Sequence, residues 1–255
     1  SEVFLVTCQV TASANITKAV NRAGYRVQEL VLEPLAGARA VLTEDEKEVG
    51  VAMVEIGAQT TNVAAYYEGK IHHVAILPFG GATLTQDLMR GLAVPYKEAQ
   101  RAKEHHSHAF AQMVDPRETV DLPGPSPNQM RSVACELIAH IVEQRLDEMF
   151  GIIQGELQDH GVAEKLGAGI VLSGGSASIP GITELAQQIF AAPVRLGVPA
   201  EGLGGIADVV ARPRFTVGAG LALWGADRFA ETGRGASTRA SGIVTRLGVW
   251  LKEFF

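Results

Sequence analysis

The chain has 255 residues, 47% of them hydrophobic and 20% charged, which is enough apolar content for one large core or two modest ones. A formal charge of −6 speaks against a general nucleic-acid surface, and no apolar run approaches the ~20 residues that a spanning helix requires. Cys8 and Cys135 stand far apart without a metal or redox motif, as expected of reduced thiols in a cytosolic protein.

The opening run EVFLVTC (2–8) reads as a buried strand. It starts at Ser1 with no Met before it and no signal-peptide pattern, so the chain is expected to be a piece of a longer one. Residues 11–25 read as a helix with Ser13 near its cap, Ile16, Ala19, Val20 and Ala23 on one face, and Gly24 as its stop. Residues 27–32 read as a strand, and 34–42 as a short helix with Pro34 in its first turn. Three strands in a meander follow at 49–57, 60–67 and 70–78, with Glu68 and Gly69 as a hairpin turn. Helices are expected at 82–92 and 95–107. Pro123, Pro125 and Pro127 mark 120–129 as a loop before a long helix over 129–160. A buried strand (168–174), a helix (181–190), a strand (193–197) and a helix (214–225) complete an α/β order. Beyond Gly225 the composition turns polar, small and Arg-rich, as in a flexible linker.

Two stretches follow a strand and turn through glycine. In VEIGAQTTNVAAY (54–66), the N–H groups of Gly57 to Thr60 and the hydroxyls of Thr60 and Thr61 can wrap a phosphate, and Glu55 can hold a magnesium-bound water. An ordinary turn is the plainer reading of that stretch alone. In GIVLSGGSASIPGI (169–182), Gly174, Gly175 and Ser176 let a flat ligand approach the backbone, although a strand–Gly–Gly–helix link also serves simple packing. The histidines offer less. His72 and His73 are adjacent, and of His105, His106 and His108 only His105 and His108 have helical ligand spacing, so solvated or capping roles are expected and no metal site.

The end of the chain, SGIVTRLGVWLKEFF (241–255), concentrates aromatics in a sequence where they make up 6%. At ~100° per residue Ile243, Val244, Leu247, Trp250, Leu251, Phe254 and Phe255 fall on one arc, with Arg246 and Lys252 outside it. A helix of ~22 Å is too short to span a bilayer but suits its interface, and the nearby basic residues favour anionic lipid. The alternative is a tail helix docked on its own domain or on a partner.

In order, LEPLAGARAVL (32–42), VEIGAQTT (54–61), LPFGGATLTQDL (77–88), VLSGGSASIPGI (171–182) and TVGAGLALWG (216–225) resemble the motifs of the actin–Hsp70–sugar-kinase ATPase superfamily. The first and last are similar to its connecting helices, the second to its second phosphate motif, the third to the turn beside the β- and γ-phosphates, and the fourth to its adenosine motif. With VTCQVTASANITKAVNRAGYRV and AAPVRLGVPAEGLGGIADVV, the linker and the amphipathic end, the chain looks like the FtsA family of bacterial cell division.

That resemblance implies an α/β, actin-like (ribonuclease H-like) ATPase fold, incomplete, with a helical insertion subdomain and a C-terminal amphipathic helix. It divides the chain into part of the first actin-like half (1–48), two segments of the second half (49–94 and 167–225) around the insertion (95–166), a linker (226–240) and a membrane-targeting helix (241–255). It implies ATP with its Mg2+ as cofactors. Gly57, Thr60, Thr61, Gly80 and Gly81 would face the phosphates, and Gly174, Gly175, Ser176 and Lys103 the adenosine. Glu33 would orient the attacking water and Glu55 the metal-bound one, although Glu33 also reads as a plain helix N-terminal residue. Arg145 would meet the acidic C-terminal tail of FtsZ, or else pair with Glu143 or Glu148. Ile243, Leu247, Trp250, Leu251 and Phe254 would enter the inner membrane from its cytoplasmic face at the division site, and the chain would self-associate into filaments.

The sequence departs from the family pattern in ways that bear on turnover. Glu55 replaces an Asp, Ala58 and Gln59 replace loop glycines, and Gln100 replaces a Glu on the helix near adenine. Weak ATPase activity at most is expected. An Hsp70-like or sugar-kinase-like enzyme, and a filament module without ATP turnover, remain the alternatives.

Overall fold

A computed structural model of the chain describes residues 6–124, 129–199, 202–205 and 207–231. In chain order, Val10–Arg22 (α1), Glu33–Val41 (α2) and Glu44–Val49 (α3) precede a meander of Val51–Ile56 (β1), Thr61–Tyr67 (β2) and Lys70–Leu77 (β3). Gly81–Gly91 (α4) and Tyr96–His106 (α5) lead to a hairpin of Thr119–Pro123 (β4) and Met130–Ala134 (β5), then to the long Cys135–Asp159 (α6). Gly169–Ser173 (β6), Ile182–Phe190 (α7), Val194–Leu196 (β7), Ala207–Val210 (α8) and Thr216–Glu231 (α9) follow.

The sheet runs β3-β2-β1-β6-β7. β1 pairs antiparallel with β2 and parallel with β6, so it is central and is buried along its whole length. Its alternation serves both faces. Ala52, Val54 and Ile56 enter a core with Leu84 and Leu88 of α4 and Ile138 and Leu146 of α6. Val51 and Met53 point the other way, into a core with Val41 of α2 and Leu223 of α9. Helices therefore cover the sheet on both sides.

The crossing of α2 and α9 is backbone-close. A Cβ placed on Gly220 would lie 1.8 Å from the Ala36 carbonyl oxygen, a contact only glycine permits. Arg39 and Asp227 bridge the same two helices at 2.7 Å, but both are well exposed, so packing contributes more than this ion pair.

Several expectations need correction. Residues 6–8, from the expected strand 2–8, have no regular structure, and neither has 27–32, because neither run has a partner strand among the described residues. α1 forms with Gln9, not Ser13, at its N-cap, and none of its residues is buried. The strand expected from residue 49 starts at Val51 because α3 occupies the preceding residues. Its signal was Thr43-x-x-Glu46, where the Thr43 side chain accepts from the Glu46 N–H and the Glu46 carboxylate accepts from the Thr43 N–H.

Of the expected loop at 120–129, residues 120–123 belong to β4, which pairs with β5 in a hairpin. Pro123 is tolerated at the end of β4, and Leu122 and Val133 bury its inner side. The long helix consequently starts at Cys135, not at 129. Helix α9 continues to Glu231, through the first residues expected to be linker. The remaining linker and the tail residues Ile243, Leu247, Trp250, Leu251 and Phe254 lie outside the described residues.

Candidate functional site

β1 and β6 lie side by side and parallel, with Glu55 opposite Ser173 at their carboxyl ends. Each strand runs straight into one of the glycine turns, so the sheet itself brings together two stretches more than a hundred residues apart. Gly174 has φ +85°, and a Cβ there would stand 2.5 Å from the Ile56 carbonyl oxygen. A side chain would be strained in its backbone and would force the two strand ends apart.

Between these turns and the start of α4 is a cleft of about 370 Å³, within the range of small-ligand sites. Gly57, Ala58, Gly81, Lys103, Ser176 and Arg214 are among the residues that line it. Lys103 reaches across from α5, its Nζ donating to the Gly81 carbonyl and to Thr85 Oγ1, both at 2.9 Å. Burial pushes its pKa down, against the pull of Glu104. A Cβ on Gly81 would lie 2.5 Å from Ser176 Oγ and 3.3 Å from Lys103 Nζ, so a side chain at residue 81 would crowd the floor of the cleft.

Not every expected residue turns into the cleft. The Thr61 hydroxyl is buried and donates to the Phe79 carbonyl at 2.9 Å. The Gly57 N–H is spent on the Thr60 carbonyl at 2.9 Å, and neither Thr60 nor Thr61 is among the lining residues. The N–H groups of Gly81 and Ala82 donate to the Gly57 and Ala58 carbonyls at 2.9 and 2.7 Å, so the loop caps the first turn of α4. Gly80 supports that contact from behind, a Cβ there meeting the Gly57 carbonyl oxygen at 2.6 Å.

Glu55 is 6% exposed and accepts a 2.8 Å hydrogen bond from Asn62 Nδ2. Burial pushes its pKa up, the Asn62 bond opposes this, and the Glu33 charge adds to the rise. The two carboxylates thus sense each other, with Glu33 exposed at the N-terminus of α2. Asn62 was not singled out in the sequence, and its Oδ1 is buried without a partner. Arg214 was also missed. Its signal was a second basic residue in Arg212-Pro213-Arg214, directly ahead of α9.

Arg145 lies outside this cleft, on the surface of α6. Its Nε meets Asp87 of α4 at 2.5 Å and its Nη1 meets Glu148 at 2.5 Å. The pairing with Glu148 matches one expected alternative, while Glu143 instead accepts from the Ala111 N–H.

The strand order, the two covered faces and a glycine-lined cleft at the carboxyl strand ends define an actin-like α/β fold. Solved structures agree. MreB5 of Spiroplasma citri bound to ADP superposes with a TM-score of 0.71 at 14% identity, over 89% of this chain and 69% of that one. The PilM-PilN type IV pilus biogenesis complex superposes at 0.63 with 18% identity, over 84% of this chain and 57% of that one. The family model "Cell division protein FtsA" matches residues 52–220, and the chain belongs to the FtsA family.

Cell division protein FtsA of Pseudomonas aeruginosa is 40% identical over 266 aligned positions, covering 100% of this chain and 63% of that protein. FtsA of Escherichia coli K12 is 32% identical with the same coverage, and that of Neisseria meningitidis 40% identical over 87% of this chain and 53% of its own length. The chain therefore spans less than two thirds of the length of these relatives. No helix among the described residues is long and apolar enough to cross a membrane.

Proposed function

We propose that this cell-division chain supplies the nucleotide-binding half of an actin-like adaptor that links FtsZ to the cytoplasmic membrane. The observation that carries this reading is the cleft, where two glycine turns and the start of α4 meet under Lys103 and Arg214 in an FtsA-family fold. Two cations, the Ser176 hydroxyl and an unobstructed Gly81 suit an adenine nucleotide in size and charge. Gly175, Ser176 and Lys103 would contact the adenosine, and Gly57, Ala58 and Gly81 the phosphates. Bound Mg2+ supplies charge neutralisation, and Glu33 and Glu55, whose mutual repulsion a divalent cation would relieve, are the carboxylates to orient its water shell.

Slow turnover fits the same geometry. Ala58 and Gln59 stand in the loop, the Thr61 hydroxyl is committed to Phe79, and the loop carbonyls are engaged by α4. These observations favour, as a second reading, self-assembly into filaments with nucleotide as a structural ligand.

The insertion built on α6 is the proposed receiver of the FtsZ tail. Asp87 and Glu148 hold the Arg145 guanidinium in place, and an acidic peptide would approach it by sharing its remaining donors. Arg145→Glu is expected to weaken binding of an FtsZ tail peptide by ~1–3 kcal/mol. Arg145→Gln, which does not crowd a third carboxylate beside Asp87 and Glu148, should weaken it less. Calorimetric titration with circular dichroism as a fold check reads both, and unchanged affinity in both variants removes Arg145 from the interface.

Residues 241–255 are the proposed anchor. An isolated helix of this length is marginal in water, and Gly242 and Gly248 weaken it, so order should come from burying Trp250 and its apolar neighbours in the interface. Trp250→Glu should leave the protein in the supernatant when anionic vesicles are sedimented, while wild type pellets. Equal pelleting would make the tail a docking helix.

A further inference from the structure

Two histidines and a glutamate from distant parts of the sequence converge away from the cleft. Strand β3 carries a bulge against β2, in which Ala65 pairs with His73 and Tyr66 with Ile71, leaving His72 as the extra residue. Bulges of this kind re-aim side chains. His72 stacks on Tyr67 with ring centroids 3.3 Å apart, while the neighbouring His73 meets the end of α6. There its Nε2 lies 2.9 Å from Glu156 Oε1, and the same oxygen lies 3.4 Å from His160 Nδ1. The two imidazoles stack at 4.0 Å with 26° between their planes. One ligand atom from each of the three residues falls within 4.8 Å of the others.

We propose that His73, Glu156 and His160 form a binding site for a divalent transition-metal cation of the zinc type, which ties the edge strand β3 to the C-terminal end of α6. Three features support it. Glu156 and His160 are four residues apart around a helix end, a spacing that puts both on one face. The separations of 2.9 and 3.4 Å lie on either side of the ligand-to-ligand edge of about 3.3 Å in a tetrahedral zinc site with bonds of about 2.0–2.1 Å, and the half-exposed His160 ring has to turn out of its stack on His73 for both nitrogens to face one ion. Two imidazoles and one carboxylate are the donor set of zinc and its neighbours, whereas magnesium and calcium take oxygen ligands. The His73 side chain is 11% exposed and that of His160 49%, so one wall is fixed and the other is open to an entering ion and a water in the fourth position. His160 Nδ1 also lies 2.8 Å from the Glu156 carbonyl oxygen, and metal binding replaces that hydrogen bond. The site is independent of the nucleotide cleft and does not rest on the reading above.

The test is a titration of the 255-residue chain with Zn2+ alone, in competition with a chromophoric chelator. One zinc per chain is expected, with a rise in thermal midpoint that excess chelator reverses. His73→Ala and His160→Asn should each weaken binding by more than the about 10- to 100-fold that losing an outer hydrogen-bond partner of a ligand costs. His160→Asn changes a half-exposed residue at a helix end, so it keeps the test readable if His73→Ala fails to fold. The competing group His106, Glu118 and Cys135 is separated by Cys135→Ser, which should leave the affinity unchanged. No stoichiometric uptake, undiminished affinity in His160→Asn, or loss in Cys135→Ser overturns the proposal.

Discussion

Gly220→Ala should lower the thermal midpoint of the chain, although alanine is the better helix former. Intrinsic propensity favours the substitution by about 1 kcal/mol in a helix interior. Against this, the new Cβ would sit 1.8 Å from the Ala36 carbonyl oxygen and 2.4 Å from its carbon, both backbone atoms of α2. No rotamer relieves that contact. Either the helices separate, which opens gaps around Met53 and Leu223, or α9 shifts along its axis. Overpacking of this kind costs typically about 1–3 kcal/mol and more where backbone must move, so the clash wins. A fall of roughly 3–10 °C is expected for a chain of this size. Gly225→Ala in the same helix meets nothing within 4 Å and should be neutral or stabilising by up to about 1 kcal/mol. Scanning calorimetry of the pair separates crossing geometry from helix propensity, because equal shifts would mean that α2 and α9 do not cross at Gly220.

The meander and its glycine turns were legible because their signals are local. β1 to β3 show apolar runs of strand length, bounded by Gly57 and by Glu68-Gly69, and the register follows from the turns. The cleft was legible in part for the same reason, since a strand followed by glycine names the turn residues. Which side chains close the cleft was less visible. Lys103 was found through family likeness, and Arg214 was missed, because its distance from the glycine turns is set by the fold alone.

The strand expected at 27–32 shows the limit of pattern. Val-Gln-Glu-Leu-Val-Leu has strand composition, but a strand needs a neighbour for its backbone groups, and among the described residues it has none, with Leu30 50% exposed. The hairpin β4–β5 is the converse. Three prolines argued for a loop, yet Pro123 ends its strand, and burial of Leu122 and Val133 outweighed the turn signal. The group of His73, Glu156 and His160 could not be read at all from spacing, since more than eighty residues separate the strand histidine from the helix.

The second large effect concerns the cleft. Gly81→Val adds a branched side chain at the first turn of α4, with its Cβ 2.5 Å from Ser176 Oγ and 3.3 Å from Lys103 Nζ. The Ser176 hydroxyl can rotate away, but the two added methyl groups then occupy the space between the glycine turns. Lys103 Nζ also loses its approach to the Gly81 carbonyl, leaving a half-buried ammonium with fewer acceptors. Nucleotide affinity should fall by well over tenfold while the core, formed behind α4 by Leu84 and Leu88, stays packed.

Wild-type affinity of the 255-residue chain is itself expected to be weak, since the Gly57, Gly81 and Ala82 N–H groups are engaged inside the protein. The most direct test is therefore equilibrium dialysis of the chain against a high concentration of ATP with Mg2+, where weak binding is still counted. Wild type and Gly225→Ala should retain equal amounts of nucleotide, and Gly81→Val should retain almost none at unchanged circular dichroism. No retention by wild type, or equal retention by Gly81→Val, would contradict the assignment of this cleft as the nucleotide site.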